Sequence, residues 1–515
     1  MAKVSGYPSL DSCPVEILKL IFELLSPTEY RLLSLVNHKL RVTAEPYLYS
    51  NLQCIWEEVC FPPPIIRFLQ TIIRRPDLAS HLKRIHLDGD RFLIGYQRNI
   101  KPKIPVSEVE LDELSSFIRA TGAPYCDLWI QELENGSTDA IIALLLVQPS
   151  NLRYIYIGPV FTQLSKLIGL VLHSRLCEPT IDLQHHHSLH DKIPNFENLR
   201  DVAFLMNVED DQNAHLNRSR NTADVLPFFY LPHIQRLSLS IENERTWTWP
   251  TATQPSPSTL TSLDLTCIRE LHLASVLSVT QNVQTLRWQL YHNKGLNPPI
   301  TPHDDPRSRQ VADSKEIYLD QMADAICLVR DSLTELTISA TADITCYDLD
   351  PPWMVLRGSS HALHNLYKLK KLQIPLVFLV GTGPGGMDGI EEEFPTCLQD
   401  PMPRNVEFVT LTYDLRDADV GYWQWKDHEI LELLERWLED WRACTPKLQE
   451  IVLLFDWASE DEWCPRMRDQ ARELGARTGV TLEVIPRNDA WGVSNQRMVI
   501  VGGRNEDASG IRWLY

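Results

Sequence analysis

Residues 428–453 read HEILELLERWLEDWRACTPKLQEIVL, and the spacing of apolar residues changes partway through. From His428 to Ala443, the residues Ile430, Leu431, Leu434, Trp437, Leu438 and Trp441 recur three or four positions apart. That spacing predicts an amphipathic helix with one apolar stripe. Leu448, Ile451 and Leu453 then follow as apolar-x-x-apolar-x-apolar. The last two positions alternate with the period of two that belongs to a strand, and the first anchors the turn into it.

The same triplet returns throughout the chain. It appears as Leu82-Ile85-Leu87, Leu152-Ile155-Ile157, Leu199-Val202-Phe204, Ile234-Leu237-Leu239 and Leu260-Leu263-Leu265. It continues as Val283-Leu286-Trp288, Leu333-Leu336-Ile338, Leu369-Leu372-Ile374 and Val406-Val409-Leu411, with Tyr125-Leu128-Ile130 as a weaker copy. Helical patterns lie between copies. Gln163 to His173 carries Leu164, Leu167, Ile168 and Val171, and Ser314 to Arg330 carries Tyr318, Met322, Ile326 and Val329. Strands alternating with helices imply an α/β fold with parallel strands and right-handed crossovers. Repetition of the unit implies a solenoid. The rival arrangement is a doubly wound α/β domain, which seldom holds so many strands in one sheet.

Long insertions follow the triplets, at Ile241 to Ser258, Gln289 to Asp313, Ala340 to His361, Pro375 to Arg404 and Tyr413 to Asp427. In a parallel array every strand ends at the same edge, so these insertions are expected along one rim. Insertions on one face of a repeat array are often its binding face. They are rich in aromatics, and tryptophan and tyrosine are enriched at interface hot spots. The candidate substrate rim is therefore Trp247, Trp249, Tyr347, Trp353, Trp423 and Trp425, with Tyr422 beside them. The competing reading is that these rings only pack the loops onto the repeats.

The other informative stretch is LDSCPVEILKLIFELLSPTEYRLLSLVNHKLRVTAEPYLY, residues 10–49. Cys13 is the expected cap of a first helix, with Pro14 at its first position and Glu16 at its third, near the positive helix end. Ile17, Leu18, Ile21, Phe22 and Leu25 form its apolar face. Ser26-Pro27-Thr28-Glu29 reads as a full capping box for a second helix carrying Leu32, Leu33, Leu35 and Val36. A third, about Asn37 to Glu45, carries Leu40, Val42 and Ala44 and is expected to stop at Pro46. Three helices this short have more apolar surface than they can hide among themselves. Such an excess usually docks on something.

Composition and charge narrow the function. The chain is 44% hydrophobic and 23% charged, ordinary for a globular protein. No apolar run approaches the roughly 18 residues of a membrane helix, and Ile141 to Val147 is among the longest. The opening MAKVSGYP lacks the apolar core of a signal peptide. Eleven cysteines without a CxxC fit reduced thiols. These features lead us to expect a cytoplasmic or nuclear protein, in which the tripeptides at Asn135 and Asn217 carry no glycan. A net charge of −19 disfavours nucleic acid and anionic membrane as partners.

Several motifs only look like chemistry. Gly381-Thr-Gly383-Pro-Gly385-Gly386 satisfies GxGxxG, but Glu391 to Glu393 and Pro395 follow where a phosphate site needs a helix start. His185 to His187 with His190 have no carboxylate or cysteine at a metal-ligand spacing. Glu460 to Glu462 read as solvated charge, and no nucleophile carries a local signature such as G-x-S-x-G. No cofactor, metal or catalytic residue is expected.

Residues 8–50 resemble an F-box. The match runs through Pro14-Val15-Glu16-Ile17-Leu18, Ile21, Leu24-Leu25, Leu32 to Val36, Leu40, Ala44 and the closing Pro46-Tyr47-Leu48-Tyr49, which is similar to the fungal version of the family. Cys13 stands where a leucine is usual, and Lys39-Leu40 where an aromatic is common. The triplets from residue 76 to 490 resemble degenerate leucine-rich repeats, mostly without the asparagine or cysteine that usually follows. Residues 51–75 are then a linker helix region and 491–515 a C-terminal tail. The resemblance implies a three-helix F-box followed by a curved solenoid with a parallel sheet and outer helices. It implies docking to a Skp-type adaptor, and through it a cullin, by Pro14, Ile17, Leu18, Ile21, Leu25, Leu32, Leu35 and Val36. The repeats would hold an unknown protein substrate for an SCF-type ubiquitin ligase, with no active site on this chain. A scaffold that binds the adaptor without ubiquitination, and an enzyme with an unrecognised α/β active site, are the alternatives.

Overall fold

The computed structural model describes residues 10, 13–56, 64–89, 103–162, 164–177, 194–206, 221–242, 246–293, 316–343, 355–381, 397–415, 425–456 and 463–487. The fold is α/β, a large parallel sheet with surrounding helices. The chain divides into two compact units. One holds the described residues of Met1–Asn207 and Ala223–Ile234, the other those of Val208–Thr222 and Gln235–Val499.

In the first unit, strands β1 (Asn51–Trp56), β2 (Arg84–Gly89), β3 (Tyr154–Ile157) and β4 (Asp201–Phe204) pair parallel in chain order. The second unit has β5 (Arg236–Ser240), β6 (Ser262–Thr266), β7 (Thr285–Asn293), β9 (Glu335–Asp343), β11 (Lys371–Pro375), β12 (Phe408–Thr412), β13 (Glu450–Asp456) and β14 (Thr481–Arg487), again parallel and in chain order. Two short strands outside these runs, β8 (Glu316–Tyr318) and β10 (Val355–Arg357), pair parallel with each other. Neither run reverses direction of growth, so the switch point that defines a doubly wound sheet is missing from each unit's described strands.

All ten strong triplets form strands, and their registers coincide. Ile85 pairs with Ile155 and Ile155 with Val202. Leu237, Leu263, Leu286, Leu336, Leu372, Val409, Ile451 and Leu482 form one continuous row. These residues are buried, whereas the residues between the apolar positions of a triplet's strand are less so, Ala203 in β4 excepted. A backbone staple sets the register. The carbonyl just after the first apolar position accepts two successive N–H groups from the next unit. Lys83 O takes Arg153 N at 2.8 Å and Tyr154 N at 3.1 Å, and Thr261 O takes Gln284 N at 2.8 Å and Thr285 N at 3.0 Å. Gln284, Thr334, Lys370 and Glu407 repeat the arrangement.

Helices supply the other layer. Asp427–Glu439 buries Ile430, Leu433, Leu434, Trp437 and Leu438, and Lys166–Leu176 buries Leu167, Ile168, Val171 and Leu172. Every residue of Thr138–Leu146 is buried, which accounts for its unbroken apolar run.

Three local expectations are corrected. Of Tyr125-Leu128-Ile130, the last two lie in helix Cys126–Glu134 and Tyr125 immediately precedes it, and Trp129, Ile130 and Leu133 are buried at helical spacing. Ser314 to Arg330 does not begin as helix: Tyr318 ends β8, and the helix is Leu319–Cys327. Residues 51–75 are not wholly a linker helix, since β1 precedes helix Ile65–Arg74. In β1, Leu52, Cys54 and Trp56 alternate inward with period two and extend the sheet by a strand. The region proposed as tail lies outside the described residues.

Candidate docking surface

Three helices precede β1: α1 (Val15–Phe22), α2 (Pro27–Ser34) and α3 (His38–Leu48). The α2 start is the capping box read from the sequence. Glu29 N donates to Ser26 Oγ at 3.4 Å and Ser26 N donates to Glu29 Oε2 at 2.6 Å, with Pro27 at the first position. Ser26 N first, and then Ser26 Oγ, which donates to Glu29 Oε2 at 2.8 Å, hold the Glu29 carboxyl below its ordinary range. Asn37 caps α3 by accepting Leu40 N at 2.9 Å.

Two details differ from expectation. Pro14, not Cys13, is the residue before α1, so Glu16 sits one position nearer the helix start. Pro46 does not stop α3, which runs to Leu48. Proline removes a single donor, and the helix closes beyond it through Tyr49 N to Glu45 O at 3.0 Å.

Leu18 and Phe22 of α1 with Leu40 and Ala44 of α3 form a small core, against which Leu10, Cys13, Leu25, Tyr30, Leu33, Tyr47 and Leu48 pack. Phe22, Tyr30 and Tyr47 stack with ring centroids 5.3 to 5.9 Å apart. Burial raises both phenols, Tyr30 and Tyr47. Tyr47 Oη donates to Lys19 O at 3.2 Å and Lys39 Nζ to Cys13 O at 3.1 Å, tying α3 back to α1 and its start. Glu45 accepts Arg75 Nη1 and Nη2 at 2.9 and 3.1 Å, which holds its carboxyl low. Tyr49 stacks on Phe68 at 6.2 Å, and only Tyr49 and Ser50 separate α3 from β1. Ser50 O takes Lys83 N and Arg84 N at 2.8 and 3.1 Å, the first staple of the sheet.

This core leaves much apolar surface in solvent. Among the described residues, thirteen large hydrophobic side chains are exposed, and eight fall between residues 15 and 42: Val15, Ile17, Leu20, Leu24, Leu32, Leu35, Val36 and Val42. Leu24 is 87% and Leu35 76% exposed, values that polar surface residues reach. Covering side chains of this size gains on the order of 1–2 kcal/mol each.

Of the eight residues expected to dock, Pro14, Ile17, Leu32, Leu35 and Val36 are exposed, while Ile21 and Leu25 are half-buried. Leu18 is completely buried in the small core and cannot touch a partner directly. Val15, Leu20, Leu24 and Val42 are exposed as well, outside the expected eight. The i, i+4 spacing of Leu20 and Leu24 sets them away from Leu18 and Phe22, Leu24 just beyond the end of α1.

The described rim residues engage their own surroundings. Trp247 meets Trp249 edge-on at 5.5 Å and lies 5.6 Å from His272, and its indole nitrogen is buried without a hydrogen-bond partner. Trp425 Nε1 donates to Gly381 O at 3.0 Å. Tyr347, Trp353, Tyr422 and Trp423 lie outside the described residues, as do the histidines at 185–187 and 190, Gly383 to Gly386, and the acidic runs at 391–393 and 460–462. Among the described residues no helix is long and apolar enough to cross a membrane. No family model matches this chain, and no curated protein matches it.

Proposed function

We propose that this chain is the substrate-recognition subunit of an SCF-type E3 ubiquitin ligase and is not itself catalytic. On this reading residues 8–50 are an F-box that docks on a Skp-type adaptor, and the strands form a leucine-rich-repeat-like solenoid that holds a protein substrate. The observation that carries it is that eight exposed large apolar side chains fall on three short helices and the turns joining them, a segment with a core of its own. Free in water such a patch is a liability; against a complementary surface it becomes the centre of an interface. The parallel strands, added one after another in chain order, favour a repeat array as the substrate arm. Holding a target lysine near activated ubiquitin raises its local concentration, and this chain needs no reactive group to do it.

Co-purification with a Skp-type adaptor tests the docking. The paired change Leu32→Asp and Leu35→Asp alters two exposed side chains and is expected to abolish capture while leaving the circular-dichroism melt unchanged. Undiminished capture by the folded double variant overturns the proposal.

A further inference from the structure

The strand starts differ in charge between the two units. In the second unit the lysines at these positions are neutralised by their neighbours. Lys371 Nζ lies 2.7 Å from Glu335 Oε1, and Lys370 Nζ 3.7 Å from Glu407 Oε1. The same positions of the first unit hold Lys83 and Arg84 at β2, Arg153 at β3 and Arg200 at β4. The staple sets them side by side, one strand spacing apart, through Arg153 N to Lys83 O at 2.8 Å and Arg200 N to Arg153 O at 2.9 Å. Their turns are pinned as well, since Asn151 Nδ2 donates to Ser80 O at 2.8 Å and Asn198 Nδ2 to Asn151 Oδ1 at 3.4 Å. Lys83, Arg84 and Arg153 are exposed, and Arg200 is half-buried. Among the described residues none of the four makes an ion pair. The Arg84 guanidinium lies over the Tyr154 ring, 4.8 Å from its centroid, and Arg200 Nη1 donates only to carbonyls, Glu197 O at 3.2 Å and His233 O at 3.3 Å. Of the acids beside Arg200, Glu197 accepts Asn195 Nδ2 at 3.0 Å and Asp201 has an interaction of its own.

We propose that Lys83, Arg84, Arg153 and Arg200 form a cationic ladder that binds an acidic, extended peptide segment of a partner protein. It rests on the recognition reading only in taking that partner as the substrate; the contact itself needs no adaptor. Like charges on adjacent strands repel each other. A row of carboxylates relieves that repulsion and adds charge-assisted hydrogen bonds, for which the planar guanidinium of arginine is suited. The ladder spans two strand spacings, about 10 Å. That is the length of about three extended residues. Its sign is opposite to the net charge of −19, so an anionic segment is drawn to this strip and repelled by most of the remaining surface. The same balance disfavours a nucleic acid, whose long run of phosphates would reach well past three strands.

Fluorescence anisotropy on the full-length protein tests this, with a fluorescein-labelled octaglutamate peptide as probe and octaglutamine as its neutral counterpart. At about 50 mM NaCl octaglutamate is expected to bind about tenfold more tightly than octaglutamine, and to weaken as salt is added. Lys83→Glu plus Arg153→Glu changes two exposed side chains that have no hydrogen bond or ion pair to lose. It should weaken octaglutamate binding about tenfold with the circular-dichroism melt unchanged. Lys370→Gln plus Lys371→Gln removes two cations from the same positions of the second unit and should leave affinity within about twofold. Equal binding of octaglutamine, undiminished affinity in the Lys83 and Arg153 variant, an equal loss in the Lys370 and Lys371 variant, or tighter binding of a thymidine oligonucleotide of the same charge overturns the ladder. If the charge reversals unfold the protein, Lys83→Gln plus Arg153→Gln is judged by the same outcomes. No adaptor enters the measurement, so its failure and a failure of adaptor capture are read separately.

Discussion

Leu18 and Leu35 show how one residue type serves two ends within the same three helices. Leu18 is completely buried beside Phe22, Leu40 and Ala44, whereas Leu35 is 76% exposed. Truncating the first removes packed atoms and leaves a cavity; truncating the second removes surface that water already wets. Leu18→Ala is expected to destabilise the helical segment by about 3 kcal/mol. Leu35→Ala should change its stability by less than about 0.5 kcal/mol. Adaptor capture should fall in both, but for Leu18→Ala only in step with unfolding. Urea denaturation followed by tyrosine fluorescence, run beside a binding titration, separates the two. The sequence marked both leucines as important without dividing them, because a helix this short offers apolar residues on nearly every side. Only the packing of α1 on α3 decides which stripe turns inward.

The helices and strands were legible to different degrees. The α2 start needed only four adjacent residues, since a capping box is local chemistry. Ser26→Ala is expected to cost about 1 kcal/mol, read as a shift of the urea midpoint. Ten strands were legible because the triplet encodes both the inward alternation and the stapled turn. β1 and β14 were not, as they end the row and carry no full triplet; β8 and β10 are three residues each, too short to show a period. The extent of α3 past Pro46 was not legible because proline removes a single donor and Tyr49 N still closes on Glu45 O, while the Glu45 side chain pairs with the distant Arg75. That pair has a testable acid signature. Arg75 holds the Glu45 carboxyl below its unfolded value of ~4.3, so the pair's contribution is present above that pH and lost as pH falls through the lower folded value. Arg75 is 41% exposed, so solvent screens the pair and its contribution is small. Glu45→Gln should remove that part of the acid-induced loss below about pH 4.3, measured by urea midpoints at pH 3 to 6.

Across the whole molecule, charge and apolar surface are segregated. Residues 13–50 carry four lysines and arginines against four glutamates, so the net charge of −19 resides elsewhere. Docking through this neutral, apolar segment should depend weakly on salt, with adaptor affinity changing less than about threefold between 50 and 500 mM NaCl. A titration in which affinity collapses over that range would assign the contact to charge. The order of the parallel strands was legible in outline because the triplets that form them resemble one another. A binding surface was not, since it is built from residues that such a pattern leaves free to vary. One junction carries a mechanical consequence. Tyr49 and Ser50 leave no slack between the helical segment and the sheet, and Ser50 O is already committed to Lys83 and Arg84. On the proposed docking, the chain would leave that contact as a welded bracket, not as a leash. Cargo on the first strands would be presented at one fixed reach and angle, so the choice of target lysine becomes a matter of lever-arm geometry. Six Gly/Ser residues inserted after Ser50 should leave both affinities intact yet scatter that choice over many lysines, as peptide mapping of the modified cargo would reveal.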